Sequence, residues 1–129
     1  MHIKLLPKDV RINVTQQAFF NCSYPCVARE SHNLVWMVGN QPIGQRYFVK
    51  GNSKRFSENS GLDIEVIDFS TCTDMGQEIV GIGLEQIRIN VISAELHNRT
   101  AVQCMASRKK REDFDVYSAF GVMIVDDGG

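Results

Sequence analysis

An all-β sandwich of two packed sheets is the fold class this sequence predicts, and three observations carry the prediction. Short stretches alternate apolar and polar residues with the period of a strand rather than that of a helix. Clusters such as Gly51-Asn52-Ser53 punctuate those stretches with turn residues. A single tryptophan, Trp36, stands between Cys22 and Cys104, and all three lie within alternating segments. Two cysteines flanking a tryptophan across about 100 residues of short strands is an arrangement of two-sheet sandwiches.

The elements follow in order. Val10, Ile12 and Val14 alternate with polar residues and predict a half-buried first strand. Ala18 to Tyr24 predicts a second, with Phe20 and Cys22 on one face. Leu34, Trp36 and Val38 predict a third, and Tyr47 to Lys50 a fourth, broken by the turn at 51–53. Residues 53–61 read as the start of a further strand. DIEVIDF (63–69) and QEIVGIGL (77–84) are two β-like patches with Cys72 between them, so an extra strand or hairpin is expected there. The sequence leaves open whether 52–85 forms strand, helical turn or loop. Gln86 to Ile92 predicts a strand with Ile89 and Val91 facing the core, and Ala101 to Ser107 and Val116 to Val125 complete the set. The polar tail 126–129 ends the domain and is expected to lead to a further domain or stalk.

Size and composition bound the function. A chain of 129 residues predicts one domain, 1–129, with its core at about 3–125. The 43% hydrophobic and 22% charged fractions are ordinary for a globular protein. A net charge of −1 gives nothing that recruits nucleic acid or an acidic membrane. No apolar run reaches membrane-spanning length, so this segment is expected not to be membrane-embedded. Four cysteines allow three pairings. Three N-x-S/T sequons, at Asn13, Asn21 and Asn98, favour a secreted or cell-surface context. The alternative is a cytosolic domain with free thiols. On the first reading a secretory signal has been removed ahead of Met1.

No catalytic constellation is visible: there is no nucleophile elbow, phosphate loop or metal-protease helix motif, so an enzyme is not expected. Gly81-Ile82-Gly83 reads as a turn. His2, His32 and His97 show no ligand spacing to the cysteines, so neither metal nor cofactor is expected.

Counted back from Cys104, the apolar residues Ile89, Val91 and Ala94 and the polar Asn98 keep the register of strand E and the E–F turn in one well-known family. Together with Cys22 and Trp36, they make the chain resemble the immunoglobulin superfamily over nearly its whole length. The resemblance is to a variable-type or intermediate-type domain, with an insertion between strands C′ and E. It implies an immunoglobulin-like Greek-key sandwich of two antiparallel sheets. It also implies a Cys22–Cys104 bridge between the sheets with Trp36 packed on it. Such a bridge, closing a long loop, contributes roughly 3–5 kcal/mol in the chain-entropy model. If that pairing holds, Cys26 and Cys72 remain to staple the B–C loop to the D–E side. Two free thiols or an intermolecular bridge stay open as alternatives. The sequence departs from the family pattern at two places. Val102 replaces the tyrosine of the E–F corner, and Phe120-Gly121 lacks the second glycine of the antigen-receptor motif.

The resemblance implies recognition rather than chemistry. The family commonly pairs through the face of its G-F-C-C′ sheet, where Val35, Met37, Gln45, Tyr47, Val49, Met105 and Tyr117 are expected to point outward. A register slip of one residue would send this set into the core. The F–G loop holds Arg108, Lys109, Lys110 and Arg111 followed by two acids. It is either a contact site or a solvated hairpin tip. The expected function is that of an extracellular recognition domain on a single-pass cell-surface protein, in adhesion or in self/non-self recognition. It would bind a protein on another cell or a second copy of itself as a weak homodimer. The alternatives are binding of sulfated glycans through the basic loop and a plain spacer.

Overall fold

The computed structural model describes residues 1–57, 59, 61–91, 98–110 and 116–126. Among these residues, twelve strands form two sheets packed face to face. The seven-stranded sheet contains β1 (Lys4–Leu6), β3 (Gln17–Pro25), β6 (Tyr47–Lys50), β7 (Ser53–Phe56), β8 (Leu62–Asp68), β9 (Thr71–Asp74) and β10 (Ile79–Val91). Its order is β1-β3-β10-β8-β7-β6, with β9 paired to the first part of β10. The five-stranded sheet runs β2 (Asp9–Asn13), β12 (Val116–Asp126), β11 (Thr100–Arg108), β4 (His32–Val38) and β5 (Gln41–Pro42). A short 3-10 helix, Cys26–Glu30, joins β3 to β4.

Strict alternation builds the core. Ala18, Phe20, Cys22 and Tyr24 are buried on β3, as are Ile87, Ile89 and Val91 on β10. They meet Trp36 and Val38 of β4, Val102, Cys104 and Ala106 of β11, and Ala119, Met123 and Val125 of β12. Every second residue thus faces the other sheet, as two-sheet packing requires. Cys22 and Cys104 bridge the sheets, with a Cα separation of 6.3 Å, and Trp36 is the cross-strand neighbour of Cys104. Cys26 and Cys72 form the second disulfide, tying the 3-10 helix to β9 at a Cα separation of 5.7 Å.

Five features differ from the sequence expectations. Lys4–Leu6 forms a strand of its own, and the chain then crosses to the other sheet through the cis Leu6–Pro7 bond. The pairing of β2 with β12 is parallel, while all other pairs are antiparallel. Strand β10 starts at Ile79, not Gln86, so 77–84 is no separate element. Gly81 and Gly83 lie inside this strand rather than in a turn. Gly81, at φ +110°, passes against the backbone of Thr71, and Gly83 lies under the Tyr24 ring. A side chain at either position would collide, which explains glycines in a strand interior.

The fifth difference concerns Tyr47–Lys50. This segment does not pair with β4; the short β5 takes that place. Gly51, at φ +61°, and Asn52 make a tight hairpin that pairs β6 with β7, and β7 continues into β8. The segment therefore forms the edge of the seven-stranded sheet. In β12, Phe120-Gly121 keeps an unbroken register with Gln103 and Val102, so no bulge occurs there.

Candidate functional site

The outer face of the five-stranded sheet follows from the register. On β4 the residues opposite the buried set are Asn33, Val35 and Met37. Their cross-strand partners on β11 are Ser107, Met105 and Gln103. Those in turn pair with Val116, Ser118 and Phe120 on β12. Phe120 is 55% exposed and Val116 54%, while Met37 and Met105 are half-buried. Gln103 is buried and donates to the Asn40 side chain at 3.2 Å. None of these nine positions carries a charge. The Arg11–Asp126 ion pair, 3.0 Å, lies at the margin, on β2 and the end of β12.

Four expected members of this surface are elsewhere. Tyr47 and Val49 lie on β6, at the edge of the other sheet, because the hairpin carries them across. Tyr47 packs on Phe56 with ring centroids 5.3 Å apart, and Lys54 lies over its ring at 5.0 Å. Tyr117 has the wrong parity for the outer face. It pairs with Ala106 on the inward register, and its ring meets His32 edge-on at 5.8 Å. Gln45 is exposed in the connection between β5 and β6. Phe120 stands in the Phe-Gly of the family motif, yet it and Val116 belong to this outer face. The alternation of buried Ala119, Met123 and Val125 already placed Phe120 outward.

The basic loop begins where β11 ends. Arg108 closes the strand, and Lys109 and Lys110 are exposed beyond it. The Lys109 N–H donates to the Ser31 carbonyl at 3.0 Å, so the base of the loop is tied to the 3-10 helix end. Arg111 and Ala94 lie outside the described residues. His32, beneath this loop, is buried; its Nδ1 is 2.6 Å from the Ser31 hydroxyl, and its Nε2 has no hydrogen-bond partner.

At the same end of the sandwich a polar network joins the 3-10 helix to β3, β10 and the end of β8. The Tyr24 hydroxyl accepts from the Arg29 guanidinium at 2.7 Å and donates to the Glu85 carboxylate at 3.2 Å. Arg29 also reaches the Asp68 carboxylate at 3.3 Å and the Ser70 hydroxyl at 2.7 Å. Burial, and then the nearby Asp68 charge, push the Glu85 carboxyl above its ordinary value. The hydrogen bond from the Tyr24 hydroxyl pulls the other way. Burial also raises the Tyr24 hydroxyl. For Asp68 burial is outweighed: hydrogen bonds from Ser70 and the Arg29 charge hold its carboxyl below the ordinary value. An acid, a phenol and a guanidinium so arranged hold two loops together.

The sequons separate by environment. Asn13 and Asn98 are exposed at the end of the sandwich remote from residues 108–110. Asn98 accepts the Val125 N–H at 3.2 Å through its side-chain oxygen. Asn21 is half-buried in the outer face of the seven-stranded sheet, where it accepts from Gln86 at 3.1 Å. Among the described residues, no group of three or more His, Cys, Asp or Glu side chains could hold a metal ion. No described helix is long and apolar enough to cross a membrane. The chain matches no family model, and no curated protein matches it.

Proposed function

We propose that this chain is a divergent variable-type immunoglobulin-superfamily domain. It acts outside the cell, as the recognition domain of a cell-surface protein, and binds another protein through the outer face of its five-stranded sheet. One observation carries the reading: at the nine central positions across β4, β11 and β12 that face is uncharged, with Val35, Met37, Met105, Val116 and Phe120 exposed or half-exposed. Depletion of charge with enrichment of Met and aromatic side chains is the composition of interface centres. Contiguous apolar surface on a soluble domain marks an interaction site more often than chance packing. Two disulfides in one domain support an oxidising compartment. The sequon at Asn13 does not block the face. Its cross-strand neighbour Asp126 is six residues, or about 20 Å of strand, beyond Phe120.

The mechanism is reversible surface complementarity, in adhesion or in self/non-self recognition, with a second copy of the chain as the preferred partner. Sedimentation of the oxidised, glycosylated protein over a wide concentration range tests it, beside the double variant Val35→Asn, Phe120→Ser. The expected result is a concentration-dependent dimer that the variant loses. If the protein stays monomeric, labelled multimers of both forms are applied to cells. Equal staining by the two forms would overturn this assignment of the face.

A further inference from the structure

Strand β6 ends the seven-stranded sheet, and among the described residues nothing pairs with its outer edge. The ladder determines which backbone groups are left open. The Ser57 N–H donates to the Arg46 carbonyl at 3.0 Å, and the register then runs from Tyr47 with Phe56 to Lys50 with Ser53. Bonded and non-bonded pairs alternate along an antiparallel ladder. Phe48 and Lys50 therefore bond to β7, while the N–H and C=O groups of Tyr47 and Val49 point away from the sheet. Proteins usually blunt such an edge with a very short strand, edge lysines, proline, a bulge or inward charges; of these β6 has its four-residue length and Lys50. Here Tyr47, Phe48 and Val49 are all exposed, Phe48 at 75%, in an unbulged strand without proline.

The side chains indicate what would pair there. Phe48 and Lys50 share the outer face, and beside Phe48 lies an open groove of about 520 Å³. Phe48, Phe56 and Leu62 line it, with the Arg55–Asp63 ion pair at its side. From Tyr47 to Phe56 the hairpin has three cations and no acid. Arg55 is committed to Asp63 at 3.1 Å. Among the described residues Lys50 makes no ion pair, and Lys54 lies over the Tyr47 ring.

We propose that β6 is a strand-addition site for an extended acidic–aromatic segment of a different protein. Paired antiparallel, that segment would donate to and accept from Tyr47 and Val49. It would place a carboxylate opposite Lys50 and, two residues later, an aromatic side chain opposite Phe48 at the groove. Backbone bonds supply affinity in this mode and alternate side chains supply specificity. A second copy fits less well. Pairing Tyr47 of one copy with Val49 of the other sets Lys50 against Arg46, and like charges directly opposite are destabilising.

The test uses the full oxidised chain and a fluorescent, end-blocked peptide of valine and threonine carrying glutamate two residues before phenylalanine. A control peptide has lysine in place of the glutamate. The acidic peptide is expected to saturate with a Kd below about 1 mM, and the lysine peptide to bind about fivefold more weakly. Lys50→Glu should reverse that preference. Val49→Pro, which removes one outward N–H, should abolish binding of both peptides, and peptide binding should slow amide exchange at Tyr47 and Val49. No saturable binding would overturn the proposal, and so would binding indifferent to Lys50→Glu. A dimer abolished by Phe48→Glu would assign the edge to a second copy and overturn it as well. The Val35→Asn, Phe120→Ser variant should bind the peptide unchanged, which separates this site from the sheet face.

Discussion

Gly83 shows how closely single residues are specified. Its Cα lies under the Tyr24 ring, and a methyl group there would drive into the aromatic carbons. Gly83→Ala is expected to lower stability by about 1–3 kcal/mol, the usual cost of overpacking, measured as a urea midpoint shift. Glu85 and Asp68 set a pH dependence with two signs. The Glu85 pKa is raised, so its charged form costs stability at neutral pH, and the cost disappears as pH falls below the ordinary glutamate value. The Asp68 pKa is lowered, so its contribution is full above the ordinary aspartate value and is lost as pH falls through the lowered one. Stability should therefore rise from neutral into mild acid and then fall. Glu85→Gln should remove the rise and keep the fall, as read from Tm between about pH 7 and pH 3.

Among the elements, the β9–β10 hairpin depends most on a covalent tie. Beyond Leu84, β10 leaves the shelter of the second sheet: Val80 and Ile82 are exposed, and β9 is half-buried only at Cys72. The Cys26–Cys72 bridge closes a loop with a sequence separation of 46, worth up to roughly 4 kcal/mol in the chain-entropy model. Replacing both cysteines by alanine should cost a large part of that. It should also speed amide exchange across 71–82 while leaving β11 and β12 protected. The alternating strands around the core were readable because buried alternation is a local signal, whereas the two bridges were implied by the family resemblance, with alternatives open for Cys26 and Cys72. The membership of β6 was not readable. An exposed four-residue strand has no inward face to declare its sheet, and a two-residue turn at Gly51-Asn52 decides it. The true length of β10 was hidden for a related reason. Two glycines in a strand interior look like a turn until the Tyr24 ring and Thr71 backbone that demand them are known.

For the whole molecule, the sandwich packs its apolar residues between the sheets and keeps an uncharged patch outside. Val35→Asn with Phe120→Ser should therefore change stability by no more than about 0.5 kcal/mol, as surface substitutions usually do, while abolishing self-association. Thermal unfolding run beside sedimentation checks both. The candidate face was half legible. Met37 and Met105 were placed outward by alternation, whereas Tyr117 failed by a parity of one and Phe120 by being assigned to a motif instead of a face. Where alternation is sound, one misjudged residue moves a side chain through the full thickness of the sheet.

The crossing of the chain between β5 and β6 has a consequence for assembly. It sets the bare edge of one sheet apart from the apolar face of the other, so occupying either leaves the other accessible. A molecule with two separate attachment points can tether one ligand while a neighbour holds the second, and the second contact then forms at an effective concentration in the millimolar range for a short linker. Two weak contacts become a strong one only where both partners are present together. If both proposed contacts form on one crowded surface, binding is expected to be steep in partner density.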